Sequence, residues 1–416
     1  MSMTKTANHL SGLLAKPAKP SVDEEAFGTA HREITKIDGK SYTRFVGEFW
    51  TSRQRQASSL QEVSYRACFK PQLPRFFINR FSKEGDVVYD PFSGRGTTAL
   101  ESGFLNRRVI ANDVNPLSSI LCKPRFFVPT LELLAERLKV IPRESSATAG
   151  LDLSMFYHSR TEKELVALRQ YLIGRGDSAD VLDDWIRMVA TNRLTGHSPG
   201  FFSVYTLPPN QAVSQKRQIK INEKRNQAPE YRDIHQLILK KSRRLINALA
   251  PETVVQLRKV GRSALFLTDD ARQTPEIKSS SVQLTITSPP FLNIVQYAQD
   301  NWLRCWFNGI DAQTVADNLT IATSLPKWID IMQDVFSELA RITKKNGWVA
   351  FEVGEINNGR IRLDEHVVPL GINAGFTCHG IVINEQEFTK TANIWGVKNN
   401  SRGTNTNRIV LFQKRK

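Results

Sequence analysis

Two short stretches hold residues whose types and spacing suit chemistry. Gly94-Arg95-Gly96-Thr97-Thr98-Ala99 sets two glycines ahead of a helix-compatible segment, and Asp113 follows Gly94 by 19 positions. Glycines so placed let a backbone approach a ligand closely, and a carboxylate at the tip of the next strand accepts hydrogen bonds from ribose hydroxyls. A nicotinamide or flavin dinucleotide, S-adenosylmethionine (SAM) or a plain glycine turn each satisfies that pattern. The second stretch is Ser288-Pro289-Pro290-Phe291, after a β-rich run. It offers a hydroxyl oxygen, a backbone stiffened by consecutive prolines and an aromatic face. Read alone, it also suits a turn that ends a strand.

These residues need elements to hold them. Asp86 to Tyr89 reads as a short strand, followed by the loop 90–96, the helical TTALESGF and a second strand ending at Asp113, which makes a β-α-β unit. Strands and helices resume at ALFLTDD and VQLTITSPP and run through WIDIMQDVFSELARITKK, GWVAFEVGE and TCHGIVINE to NRIVLFQK. The expected fold is α/β: a Rossmann-like, doubly wound and mostly parallel sheet with a mainly helical inserted domain. Residues 1–40 read as a flexible N-terminal arm, 41–125 and 259–416 as the two parts of the sheet domain, and 126–258 as a helical basic insertion.

Charge points to the partner. The 416 residues hold 57 Lys plus Arg against 41 Asp plus Glu, a net charge of +16, which favours a polyanion. Lys216 to Arg262 holds thirteen basic residues against four acidic ones, so over half the surplus lies in that stretch, most of which falls in the insertion. Lys216, Arg217, Lys224 and Arg225 are the expected phosphate contacts there, a solvated helix face being the plainer account. The loop His197 to Arg217 reads as exposed and suited to base edges. No apolar window is long enough for a membrane span or a secretory signal, and the four scattered cysteines suggest neither a disulfide framework nor a zinc site, so no metal is expected. The expected location is the cytoplasm, in association with the nucleoid.

Taken together, Asp90-Pro91-Phe92-Ser93-Gly94-Arg95-Gly96-Thr97-Thr98 and Ser288-Pro289-Pro290-Phe291 resemble the DNA amino-methyltransferases of restriction-modification systems. The first is similar to that family's cofactor loop and the second to its catalytic tetrapeptide. Phe69-Lys70-Pro71-Gln72-Leu73-Pro74 is similar to the segment that touches the methionine part of SAM. Thr268-Asp269-Asp270-Ala271-Arg272 resembles the motif whose acid meets the adenine amine, and Thr406 to Val410 resembles the family's last strand. The cofactor loop precedes the tetrapeptide, the reverse of the order most often seen with S-P-P.

The resemblance implies SAM as cofactor, held by Phe69, Pro71, Asp90, Phe92, Gly94, Gly96, Thr97, Asp113 and Asp270. It implies catalysis at Ser288, Pro289, Pro290 and Phe291; Tyr297 and Asn301, which follow the tetrapeptide closely, either line the base pocket or begin the next helix. Duplex DNA is the implied substrate, and a separate cognate restriction endonuclease is allowed. An exocyclic amine is a poor nucleophile because its lone pair is delocalised into the ring. A serine oxygen and a proline carbonyl can accept its two N–H bonds and aim that lone pair at a methyl group, while Phe291 stacks on the flipped base. Serine at the head favours cytosine N4 over adenine N6. A transfer-RNA guanine-N2 methyltransferase, a nicotinamide-dependent oxidoreductase and a non-catalytic nucleic-acid binder are the competing readings.

Overall fold

Apolar runs in the sequence become the centre of one twisted sheet. The computed structural model describes residues 30–50, 57–66, 68, 70–207, 212–290, 297–318, 322, 324–356, 360–385 and 407–415. Its strands are β1 (His31–Ile37), β2 (Lys40–Gly47), β3 (Val87–Asp90), β4 (Arg108–Asn112), β5 (Leu265–Leu267), β6 (Val282–Thr287), β7 (Thr343–Val353), β8 (Glu355–Ile356), β9 (Ile361–Arg362), β10 (Phe376–Asn384) and β11 (Asn407–Lys414). Nine of them form a sheet in the order β1-β2-β10-β11-β7-β6-β3-β4-β5, while β8 and β9 pair separately. Strands β3 to β7 run parallel, and β11 is antiparallel to both β7 and β10. Between β3 and β6 the chain order reverses direction, so the crevice at their carboxyl ends is where a doubly wound sheet binds its ligand. The expected Rossmann-like, doubly wound and mostly parallel sheet is the one present.

Helices cover both faces. They are α1 (Gln72–Phe81), α2 (Thr97–Phe104), α3 (Leu117–Cys122), α4 (Leu131–Val140), α5 (Ser159–Arg175), α6 (Val181–Thr191), α7 (Gln215–Arg225), α8 (Ile234–Ile246), α9 (Pro251–Gly261), α10 (Tyr297–Asn308), α11 (Ala312–Asn318), α12 (Leu325–Ile342) and α13 (Leu363–Asn373). On α12, Trp328, Met332, Val335, Phe336, Leu339 and Ile342 recur at helical spacing and are buried against β7 and its neighbours. The opposite face is closed by α1, whose Phe76, Phe77 and Phe81 pack with Trp50 and Trp348. Between β4 and β5 the helical insert builds its own core around Trp185, Phe156 and Phe202, continuous with Leu100 and Phe126 beside the sheet. The Trp185 indole donates to Ser242 Oγ at 2.9 Å, which joins α6 to α8 without an orphaned polar group.

Two expected boundaries move. Residues 31–37, assigned to a flexible arm, form an edge strand that turns back on β2 through Asp38 and Gly39, at φ 46° and 74°. An Asp-Gly pair favours that two-residue turn because its twist matches the strands. Arg44 of β2 is buried and donates to Asp364 (3.1 Å) and Glu365 (3.0 Å) at the start of α13, which fastens the hairpin to the sheet. The helix α9 crosses residue 258. It packs on α2 through Gly103 and Leu257, so its residues go with the sheet and not with the insert.

Candidate active site

The glycine loop leaves β3 and enters α2. Gly94 sits at φ 52° and donates its N–H to Asp113 Oδ2 at 2.8 Å, and Asp113 Oδ1 accepts from Asn115 N–H at 3.0 Å. The loop and the tip of β4 are thereby locked to each other. Gly96, at φ 77°, is required for space as well, because a Cβ there would collide with the buried Cys122. Burial pushes the Asp113 carboxyl up to about 6, against its two N–H donors.

A cleft of about 980 Å³, counting the space that opens to solvent, lies over these carboxyl ends. Phe92, Gly94, Thr97, Asp113, Asp270, Ser288 and Pro290 all line it, which brings together two motifs nearly 200 residues apart. Asp270 accepts from Arg272 N–H (2.9 Å) and Nε (3.0 Å), and that guanidinium holds its carboxyl below the usual carboxylate range. The apolar wall comes from Ile331, Met332 and Val335 of α12.

Asp90 stands behind the cleft and not in its lining. It is buried, accepts from Phe92 N–H (3.2 Å) and Thr287 Oγ1 (2.7 Å), and so ties the glycine loop to the strand that presents Ser288. Burial pushes it up to about 7, with Asp113 adding in the same direction. Gly96 and the buried Pro289 also lie behind the surface, and Pro71 starts α1 outside the cleft. Asn301 is buried in α10 and accepts from Arg304 Nη1 at 3.0 Å, so the structure does not place it beside a base in the cleft. Phe69 and Phe291 lie outside the described residues. Tyr297 begins α10, and its side chain is likewise outside the description.

The tetrapeptide is held from two sides. The Pro290 carbonyl accepts the Trp328 indole N–H at 3.0 Å. Glu352 of β7 lies beside Ser288, whose hydroxyl offsets part of the upward push of burial on that carboxyl, and its Oε1 accepts from Asn407 Nδ2 at 2.7 Å. A hydroxyl oxygen carries two lone pairs, so Ser288 can accept from another donor. Burial pushes Glu352 upward, as expected for a carboxyl among apolar strands. Sequence reading passed over Glu352, yet a lone acid inside the apolar run Val349 to Val353 was the available signal. Tyr65 and Arg66 were missed too; they line the cleft from an irregular segment that has no motif.

On α7, Lys216, Arg217, Lys224 and Arg225 are all exposed, and none forms an ion pair among the described residues. The helix is linked to the catalytic side, since Ala212 N–H donates to the Asp300 carbonyl (2.8 Å) and the Trp302 indole to that of Val213 (3.2 Å). The loop His197 to Arg217, read as exposed, is corrected in part: His197, Pro199, Ser214, Lys216 and Arg217 are exposed, but Phe201 to Val204 and Thr206 are buried, with Phe202 fully enclosed and Phe201 packed so close to Gly196 that a side chain there would clash, and 208–211 lie outside the described residues. Arg232 Nη1 donates to the Phe201 carbonyl at 2.8 Å and also to that of Ser203. Phe202 therefore builds the insert core, and Phe201 is buried beside Gly196.

The donor set fits SAM. Two cleft carboxylates suit a ribose diol and an adenine amine, an apolar wall suits a purine face, and the surrounding acids suit a cationic ligand.

A family model for DNA methylases, covering the N6 and N4 classes, matches residues 11–118. The orphan methyltransferase M.BamHII of Bacillus amyloliquefaciens is 37% identical over 62 residues, which is 14% of this chain and 23% of that protein. The type II methyltransferase M.BsoBI of Geobacillus stearothermophilus is 32% identical over 105 residues, 23% of this chain and 20% of its own. The chain thus spans about a fifth of the length of these curated relatives. A SAM-dependent methyltransferase of known structure from Methanosarcina mazei covers 82% of this chain and 97% of its own at 10% identity, with a TM-score of 0.32. The family match spans the glycine loop and agrees with the resemblance read from it.

Proposed function

We propose that this chain, whose motifs and family match are those of the DNA amino-methyltransferases, transfers a methyl group from SAM to the exocyclic amine of a base flipped out of duplex DNA, with cytosine N4 as the acceptor. The observation that carries this reading is the meeting of Asp113, Asp270 and Ser288 in one cleft. Asp113 and Asp270 would hold the cofactor's ribose and adenine, with Phe92 and the α12 wall against its apolar surface. SAM supplies an electrophilic methyl group on sulfur.

The chain's own residues then prepare the nucleophile. Ser288 Oγ accepts one amine N–H, its own proton being free to turn toward the neighbouring Glu352. The Pro289 carbonyl accepts the other, the Pro290 carbonyl being engaged by Trp328. Two acceptors fixed by packing orient the lone pair and withdraw it from the ring, which is an orientation effect paid for in advance by the fold. Serine at the head of the tetrapeptide supports cytosine over adenine through the family resemblance alone.

Mass spectrometry of nucleosides from duplex DNA incubated with the protein and labelled SAM tests the reading. Label in N4-methylcytosine is the expected result. Label in N6-methyladenine overturns the base and keeps the mechanism, whereas label in 5-methylcytosine or only in RNA overturns the mechanism or the substrate class.

A further inference from the structure

The irregular segment Ser59–Arg66 crosses from the insert to the cleft and is pinned along its length. Ser59 Oγ donates to the Leu245 carbonyl (2.6 Å), Arg125 Nη1 to that of Leu60 (3.0 Å), and Arg95 Nη1 to those of Gln61 (2.9 Å) and Val63 (2.7 Å). Arg304 Nη2 and Asn192 Nδ2 both reach the Ser64 carbonyl, at 2.9 and 3.1 Å. A strap so fixed has little freedom to redirect the side chains it carries.

Glu62 lies in the middle of the strap and faces α8. Lys241 Nζ is 2.8 Å from one of its oxygens and Arg244 Nη2 is 3.1 Å from the other. Arg193, just past the end of α6, sits in the field of Glu62, Arg244 and Arg304 together. One carboxylate thus pairs with two cations, and a third lies in the field of the group. Burial depresses Arg193 to about 10 and lowers Lys241, and the like charges beside each work in the same direction. Cations gathered in a half-buried place repel one another more than they would in water, and an added anion relieves that cost. Three residues along the strap, Tyr65 and Arg66 already line the cleft with Ser288.

We propose that Lys241 and Arg244, with Arg193 behind them, form a binding site for a backbone phosphate of duplex DNA next to the nucleotide delivered to Ser288. The inference rests on the DNA-substrate reading given above. Lys241, with a side chain only 10% exposed, is the fixed point charge, and Arg244, 71% exposed, is free to close over the phosphate oxygens. Glu62 neutralises part of the cluster when no DNA is bound and competes with the phosphate when it is. The site differs in kind from α7, whose cations are spread along a solvent-facing helix.

Fluorescence anisotropy of a labelled duplex, titrated with the full-length protein over a range of NaCl concentrations, tests this. R244Q and K241Q/R244Q should weaken binding about tenfold and make the slope of log K against log salt shallower by about 1, the share of one phosphate. E62Q should act in the opposite direction and tighten binding several-fold, a sign that loss of a merely structural ion pair does not produce. SAM titration calorimetry, unchanged in all three, shows that the variants are folded. Wild-type affinity and slope in the R244Q and K241Q/R244Q proteins, or weaker binding by E62Q, overturns the proposal. The two readings fail separately: a wild-type protein that binds DNA through this cluster but incorporates no methyl label breaks the methyltransferase reading alone, and one that methylates DNA while the cluster variants bind normally breaks this one alone.

Discussion

In the cleft, charged groups come with partners: Asp113 holds two backbone N–H groups, Asp270 holds Arg272, and Asp90 holds Thr287 and Phe92. On α7 the opposite holds, for Lys216, Arg217, Lys224 and Arg225 stand in solvent without a carboxylate among the described residues. Arg225 does lie over the Tyr205 ring, 3.8 Å from its centroid, but keeps its charge available. A site that must place reacting atoms to a fraction of an ångström uses groups whose rotamers are already fixed. A surface that follows a polyanion of arbitrary sequence needs charge and reach more than fixed geometry. On the DNA-substrate reading proposed above, the chain would separate positioning chemistry in the cleft from salt-sensitive attachment on α7.

That contrast breaks most visibly on α7. Replacing Lys216, Arg217, Lys224 and Arg225 together with Gln should flatten the slope of log K for DNA against log salt by about 3 to 4 units and lower affinity by a hundredfold or more at low salt. SAM affinity, measured by calorimetry on the same variant, should stay as in the wild type. An unaltered slope would return the helix to a solvated face. The reverse separation is expected at Ser288, where Ser288→Ala removes one acceptor for the amine and should cut turnover by about a hundredfold, leaving both SAM and DNA affinity nearly intact. Single-turnover kinetics with the two affinities measured alongside distinguish this from general damage.

Much of this was legible in sequence because it is local. The strands at 87–90, 282–287 and 407–414 are apolar runs bounded by turn residues, and α2 is read to the residue. The glycine loop and tetrapeptide carry their meaning in consecutive letters. What escaped depends on tertiary partners. The Asp38-Gly39 pair carried a hairpin signal, but the polar strand His31–Ile37 masked it, since an exposed edge strand lacks apolar alternation. The aromatics of Leu194–Thr206 gave no sign of burial, because a loop fixed by Arg232 and Gly196 has no periodicity. Glu352 and Glu62 gain their roles only when β7 lies beside β6 and α8 beside the strap.

Within the cleft, the sharper question is whether Asp113 serves the ligand or only the glycine loop, since it is already bonded to Gly94 and Asn115. Asp113→Ala should weaken SAM by about ten- to more than a hundredfold, roughly 1.5 to 3 kcal/mol, if the carboxylate also accepts from the ribose. Calorimetry measures it, and unchanged affinity would reduce the residue to a loop brace. Because that variant also removes the brace, a gentler probe leaves every atom in place and changes only the proton.

Burial holds the Asp113 carboxyl at about 6, above the ordinary 3.8, so in the folded protein it takes up a proton as pH falls through that value. The ionised form accepts hydrogen bonds with both oxygens, while the protonated form gives up acceptor capacity and carries no charge toward a cationic ligand. SAM affinity should therefore be flat above pH 7 and decline below 6. A single linked proton of that pKa predicts about a fourfold weaker dissociation constant at pH 5.5 than at pH 7.5. Asp90, held at about 7 behind the loop, adds to the loss only if it also reaches the ligand, which Asp90→Asn separates by leaving the Asp113 transition alone. Calorimetric titrations across pH 5 to 8, in buffers of different ionisation heat, report the proton uptake directly. Affinity that stays level down to pH 5 in the wild type would show that the Asp113 carboxylate does not meet the ribose, and that its two backbone bonds are the whole of its task.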